Sequence, residues 1–352
     1  KIFIILFFLL WGNSIWSQDF IVNSQFYGIE EGLSHREVNA VHQDKRGFIW
    51  VGTKYGLNRF DGKNFKLFTK EKNGLPGNNI FSFFENDDEW LWVFGVESWY
   101  NRNLVDGVSS ISLINIYTEE VISPEEKIGS PLPFKIQDNF RCWHSPKGTT
   151  YFFNKKEIFF MYRQDTGFEK ILLETDELFE DIKNVSGEFW GITAGNPRYF
   201  MKLDTTGKIM QYPISDFPTK LPKIHFKDES GNLWVTGKDS LNEGLKKIYS
   251  FNIDDARARE ISFDGFDHKL FSDNWKPAFW YQAARQLFWF TGSSDFLVFN
   301  PHTKAFTDLG QQYPELLSAP VNHVYFDKAD NAWIAVENGL FKVSLEENPS
   351  LP

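Results

Sequence analysis

One unit recurs seven times along this chain, and it constrains the fold more than any other feature. Its clearest copy, starting at Val38, reads VNAVHQDKRGFIWVGTKYGLNRFDGKNFKLF. An apolar strand (38–42) runs into a tight turn (44–47), and a second strand carries Trp50. Gly52, Thr53 and Gly56 mark the next turn, and 57–60 and 65–68 supply two more strands. Asp, Gly and Asn provide turn conformations between short apolar runs, so each unit predicts four antiparallel strands. The turn-then-aromatic signature returns at Trp92, Tyr151, Trp190, Trp234, Trp289 and Trp333. The mean step from Trp50 to Trp333 is about 47 residues, inside the roughly 40–50 of a propeller blade. The expected fold is therefore all-β: a seven-bladed β-propeller of four-stranded antiparallel blades.

The recurring aromatics are expected to be core rather than a binding stripe. A large ring in the second strand of each blade packs against the next blade, and its burial contributes a few kcal/mol. Asp44, Asp228 and Asp327 are expected as turn-formers whose carboxylates accept backbone N–H groups, not as catalytic acids.

The chain ends predict how the ring closes. Unit seven runs Trp333 to Val336, turns at Asn338 and Gly339 and continues from Leu340 to Leu345, without an evident fourth strand. Shifted by 42 positions, the segment before unit one aligns with the one before unit two: Phe26 with Phe68, Leu33 with Leu75, Val38 with Ile80, Trp50 with Trp92. Since 65–68 is an outer strand, Gln25 to Tyr27 should be one too, completing blade seven. Such a clasp leaves only short sheet edges.

The first residues read as an export signal: Lys1, a short apolar run from Ile2 to Trp11, and polar residues from Gly12. That run falls short of the roughly 20 apolar residues of a membrane span but suits a signal-peptide core. Ile15 and Ser17 place cleavage before Gln18, so the expected organisation is a signal peptide at 1–17 and a propeller at 18–352. Length alone would suggest two domains, but repetitive β architectures hold this many residues in one body. Cys142 is the only cysteine, so no intrachain disulfide forms despite an oxidising destination, and topology must do the stapling. The net charge of −10 argues against nucleic acid as a partner, because phosphate binding needs a basic footprint.

The string Gly32-Leu33-Ser34, Val38, Val41, Asp44, Gly47, Trp50-Val51-Gly52-Thr53, Gly56-Leu57, Phe60-Asp61-Gly62 resembles the two-component regulator propeller repeat. Unit seven keeps Asp327, Trp333, Gly339 and Leu340; units five and six keep Trp234 and Gly237, and Trp289, Thr291 and Gly292; unit three has lost the tryptophan. The resemblance implies the periplasmic or extracellular sensor region of a hybrid two-component system or related histidine kinase, as in Bacteroidetes. Such sensors continue into further propeller units, an immunoglobulin-like domain, a transmembrane helix and a kinase. The chain is therefore expected to be either the amino-terminal piece of a longer protein, with its membrane contact only through a downstream segment and a homodimer possible at full length, or a free-standing propeller.

No catalytic constellation stands out. HExxH, nucleophile-elbow, P-loop and C-x-x-C patterns are all missing from the sequence. His35, His42, His144, His225, His268, His302 and His323 fall in different units without metal-ligand spacing, so neither a metal nor a cofactor is expected. Ligand recognition is assigned instead to the end of the channel where the loops between strands two and three meet those linking successive blades. The repeat places there Arg36, Lys54, Tyr55 and Trp275, with Trp99, Tyr100 and Arg102 from an irregular stretch of blade two and Arg198 and Tyr199 from blade four. Ser34, His35, Asn78, Asn79, Asn196, Lys238, Asp239, Asp273, Asn274 and Ser293 to Asp295 share that rim. Aromatic faces beside polar groups suit a small-molecule or oligosaccharide ligand. The expected function is ligand sensing, with an exported lyase-like propeller enzyme or a protein-interaction scaffold as alternatives.

Overall fold

The computed structural model describes residues 20–86, 89–96, 110–134, 141–145, 148–153, 159–171, 179–185, 187–193, 198–204, 208–214, 219–239, 246–261, 278–291, 296–300, 302–303, 305–317 and 319–349. Seven four-stranded sheets account for almost all of it. Blade one contains Val38–Gln43, Ile49–Thr53, Gly56–Phe60 and Phe65–Phe68; blade two Asn79–Glu85, Trp90–Val96, Ser110–Asn115 and Val121–Ile122. Blade three contains Arg141–His144, Thr150–Phe153, Phe159–Arg163 and Gly167–Ile171; blade four Phe179–Val185, Glu188–Thr193, Tyr199–Leu203 and Ile209–Pro213. Blade five contains Thr219–Lys227, Leu233–Asp239, Lys246–Asn252 and Arg257–Glu260; blade six Ala278–Gln282, Leu287–Thr291, Phe296–Asn300 and Ala305–Asp308. Blade seven joins Val321–Phe326, Ala332–Val336 and Gly339–Glu347 to the N-terminal strand Phe20–Tyr27. All pairings within the blades are antiparallel, as the repeat predicts.

The clasp is present, and its strand extends back from Gln25–Tyr27 to Phe20. Phe20 pairs Glu347 and the ladder runs unbroken to Tyr27 opposite Leu340. The Tyr27 ring stacks on Trp333 of blade seven at 5.8 Å and meets Phe60 and Phe65 of blade one edge-on at 5.0 and 5.9 Å. One side chain from the first strand thus ties the last blade to the first. Outermost, Phe26 packs on Phe341 at 4.9 Å.

Every aromatic of the signature lies in the second strand of its blade, and Trp50, Trp92, Trp190 and Trp289 are fully buried. Trp234 is half-buried but stacked between Phe226 and Phe288 at 5.2 and 4.6 Å. The turn aspartates do more than turn. Asp44 accepts from the Phe48 backbone N–H through Oδ1 and from the Trp50 indole N–H through Oδ2, at 2.9 and 2.8 Å. Asp228 does the same for Asn232 and Trp234, and Asp327 for Asn331 and Trp333. A carboxylate has one oxygen for each donor, so Asp six residues before Trp closes the turn and satisfies a buried indole together. Blade three has Tyr151 in place of Trp and Ser145 in place of Asp, whose hydroxyl meets the Thr149 backbone N–H alone.

The same turns knit neighbouring blades. Lys45 donates its backbone N–H to Glu85 and its ammonium to the Asn86 carbonyl, while Lys328 reaches the Asp44 carbonyl from blade seven. Gln282 and Arg285 of blade six converge on Asp330. Gly52 explains the closeness of blades one and two: a Cβ there would sit 2.9 Å from the Phe83 ring and 3.1 Å from the Ile80 carbonyl. No helix among the described residues is long and apolar enough to cross a membrane.

Candidate functional site

The face opposite the aspartate turns carries the loops between second and third strands and the links from one blade to the next. In blade one this rim is built by hydroxyl and amide side chains. Thr53 Oγ1 accepts the Tyr55 backbone N–H at 3.0 Å, donates to the Gly56 carbonyl at 3.0 Å and lies 3.0 Å from Ser34 Oγ. Asn58 accepts the Ser34 backbone N–H through Oδ1 and donates to Ser34 Oγ through Nδ2, at 3.1 and 2.7 Å. Asn58 and Thr53 are fully buried, so these bonds fix the segment from Ser34 to Arg36 against the turn at 54–55. Gly56 closes that turn at φ +92, and a Cβ on it would meet the Phe68 carbonyl at 2.5 Å. Only glycine fits there.

The linker to blade two adds a second ordered layer. Asn78 gives its carbonyl to the Gly56 N–H at 2.5 Å and its side-chain oxygen to the Lys70 N–H at 2.9 Å. Its amide donates to both Glu71 oxygens at 2.9 and 3.0 Å, and this bond holds the Glu71 carboxyl below its ordinary range. Asn79 accepts from Asn39, which also donates to the Ile80 carbonyl.

On this frame Arg36 and Tyr55 stand out into solvent, Tyr55 with about half its surface exposed (49%). Lys54 differs: its ammonium pairs with Glu37 at 2.5 Å, and its backbone N–H bonds to the Glu37 carbonyl. Arg36, Lys54 and Tyr55 are therefore brought together, with Lys54 neutralised. In blade four, Arg198 and Tyr199 start the third strand at the same end; the Tyr199 N–H is held by Thr193 Oγ1 at 2.9 Å, and its half-buried ring packs on the cluster of Tyr151, Phe189 and Met201. Trp99, Tyr100, Arg102 and Trp275 lie outside the described residues, as do Asn196, Asp273 and 293–295.

Sequence reasoning placed Ser34 on the rim but missed the supports: Glu37 as the partner of Lys54, and Thr53 and Asn58 as the frame that holds Ser34. Buried polar residues inside an otherwise apolar strand, such as Asn58, were the available signal. Among the described residues no group of three His, Cys, Asp or Glu side chains could hold a metal ion.

Residues 32–55, the segment that builds this frame, match the family model described as two component regulator propeller. Over 38 residues the chain is 53% identical to histidine kinase P4 of Formosa agariphila, a match covering 11% of this chain and 3% of that kinase. Among solved structures, the extracellular domain of a hybrid two-component system from B. thetaiotaomicron superposes with a TM-score of 0.63 at 18% identity, over 91% of this chain and 41% of that one. Virginiamycin B lyase from Staphylococcus aureus superposes with a TM-score of 0.60 at 14% identity, over 93% of this chain and 100% of that one. These structural likenesses describe the fold. The match to the two component regulator propeller model thus falls on one repeat, at 32–55, within a ring of seven blades.

Proposed function

We propose that this propeller is the ligand-sensing part of an exported two-component signalling protein and that it recognises an oligosaccharide or similar nutrient on the rim bearing Arg36 and Tyr55. The carrying observation is the blade-one frame: a solvent-facing tyrosine and arginine held by buried Thr53 and Asn58. Such a surface is ordered before it binds, which lowers the entropy a ligand must overcome. An aromatic plane can stack on the C–H face of a sugar while polar neighbours take its hydroxyls. The matched repeat and the two-component relatives support a signalling role, and the N-terminal apolar run supports export.

A thermal-shift screen of the full chain against an oligosaccharide library tests this reading. Stabilisation by a glycan that is recovered chemically unchanged is expected. Conversion of that glycan to an unsaturated product would instead establish the lyase alternative. No stabilisation across the library, with a protein captured on the rim, would favour the scaffold.

A further inference from the structure

The link from blade seven into blade one holds an imidazole in one tautomer. His35 Nδ1 accepts the Glu37 backbone N–H at 3.0 Å. A ring nitrogen that accepts carries no proton, so the proton sits on Nε2, and Nε2 only donates. The half-buried ring stands on a segment pinned at both ends. Asn58 and Thr53 hold Ser34, and Lys54 holds Glu37 through the Glu37 carbonyl at 3.2 Å and its carboxylate at 2.5 Å. Nε2 has no hydrogen-bond partner among the described residues and is not a buried atom, so it opens to solvent.

The blade does not require this ring. The 42-residue offset between the first two links aligns His35 with Gly77, where even a Cβ would meet the Val96 carbonyl at 2.6 Å. The next link therefore turns the same corner with no side chain. Holding a backbone N–H two residues ahead is, moreover, a task that the shorter Asn and Asp side chains perform. What the imidazole adds is a donor at a fixed position. The acceptors around it are engaged: Thr53 Oγ1 by the Tyr55 N–H, Asn58 Oδ1 by the Ser34 N–H and the Glu37 carboxylate by Lys54. Arg36, next in the chain and exposed, has donors only.

We infer that His35 determines specificity on this rim, donating through Nε2–H, together with Arg36, to the carboxylate of a uronic acid unit in the oligosaccharide. The inference rests on the sensor reading and names its ligand class. A sugar hydroxyl donates as well as accepts, so against a donor-only pair its own hydrogen goes unmatched. A carboxylate accepts only, and its two oxygens serve an imidazole and a guanidinium together. The exposed Tyr55 ring offers the C–H face of the sugar a stacking surface.

The test is calorimetry on the full chain with tetragalacturonate, tetramannuronate and the methyl ester of each, together with a neutral-glycan thermal-shift panel. His35→Asn keeps an oxygen for the Glu37 N–H but removes the Nε2 donor, whereas His35→Gln returns an amide N–H close to the Nε2 position. The expected result is binding of a uronate, weakened at least tenfold by methyl esterification, by His35→Asn and by Arg36→Gln, and partly restored in His35→Gln. In the parent itself, the His35 Nε2 resonance should shift when that uronate is added, a readout that does not depend on how well a variant folds. Parental uronate affinity in His35→Asn would show that the ring only holds the turn, and overturns the inference. Binding of neutral glycans alone overturns it too and leaves the sensor standing. If no glycan of any class binds, both readings fall.

Discussion

Asn86 stands six residues before Trp92, where Asp44 stands before Trp50, and the Trp92 indole N–H has no hydrogen-bond partner among the described residues. The amide explains it. Asn86 Oδ1 accepts the Trp90 backbone N–H at 3.3 Å, and the remaining Asn86 group is a donor that cannot accept a second one. Leaving a buried donor unpaired costs about 1–3 kcal/mol. Asn86→Asp should therefore raise the melting temperature, and Asp44→Asn, which orphans Trp50, should lower it. Opposite signs in paired melting curves are the expected outcome; a lower melting temperature for both would show that the carboxylate is not what the indole lacks.

Tyr27 is the hinge pin of ring closure, touching Trp333 on one side and Phe60 and Phe65 on the other. Tyr27→Ala should cost roughly 3–5 kcal/mol by the measure of large-to-small core changes. Deleting 18–29 should cost more, because it also bares the edge of the strand Gly339–Glu347 and invites association. Denaturant unfolding and size-exclusion elution read both effects, and an unchanged midpoint with monomeric elution after the deletion would remove the clasp from the account.

The seam between blades seven and one depends on a neutral histidine. His323 Nδ1 accepts the Val41 backbone N–H at 3.2 Å, and burial, reinforced by His42, lowers its pKa to about 4. His42 lies 3.5 Å from Glu85 and 5.4 Å from the Tyr325 ring. Because the folded pKa lies below the unfolded value near 6.5, the unfolded chain binds the proton first. Stability from this group is then complete above about pH 6.5 and is lost as pH falls towards 4, by about 3 kcal/mol in all. His323→Gln keeps an acceptor without titrating, so its stability should fall less over that range than the parent's. Parallel pH profiles for the two would contradict the assignment.

The repeat made the blades, the clasp and the buried aromatics legible, because turn residues and strand alternation are local and Trp50, Trp190 and Trp333 mark the same position each time. What it could not show was pairing across the fold. Lys54 reads as a free cation in the sequence, yet Glu37, seventeen positions earlier, neutralises it. Tyr199 reads as a rim aromatic, but half of it belongs to the core between blades three and four. Asp44 as a double acceptor was missed because Trp50 supplies its second donor from the next strand.

Two similarly exposed tyrosines offer the most direct test of the account. Tyr55 is 49% exposed on the loop rim, and Tyr117 is 52% exposed at the opposite end of the blades, beside Arg46 of an aspartate turn at 5.2 Å. Each should tolerate alanine with little effect on stability, so folding does not confound the comparison. The measurement is calorimetric affinity of Tyr55→Ala and Tyr117→Ala for the glycan that most stabilises the parent. Rim recognition predicts at least a tenfold loss, about 1.4 kcal/mol, for Tyr55→Ala and parental affinity for Tyr117→Ala. Parental affinity for Tyr55→Ala, with or without a loss at Tyr117, would contradict it and move recognition off this face.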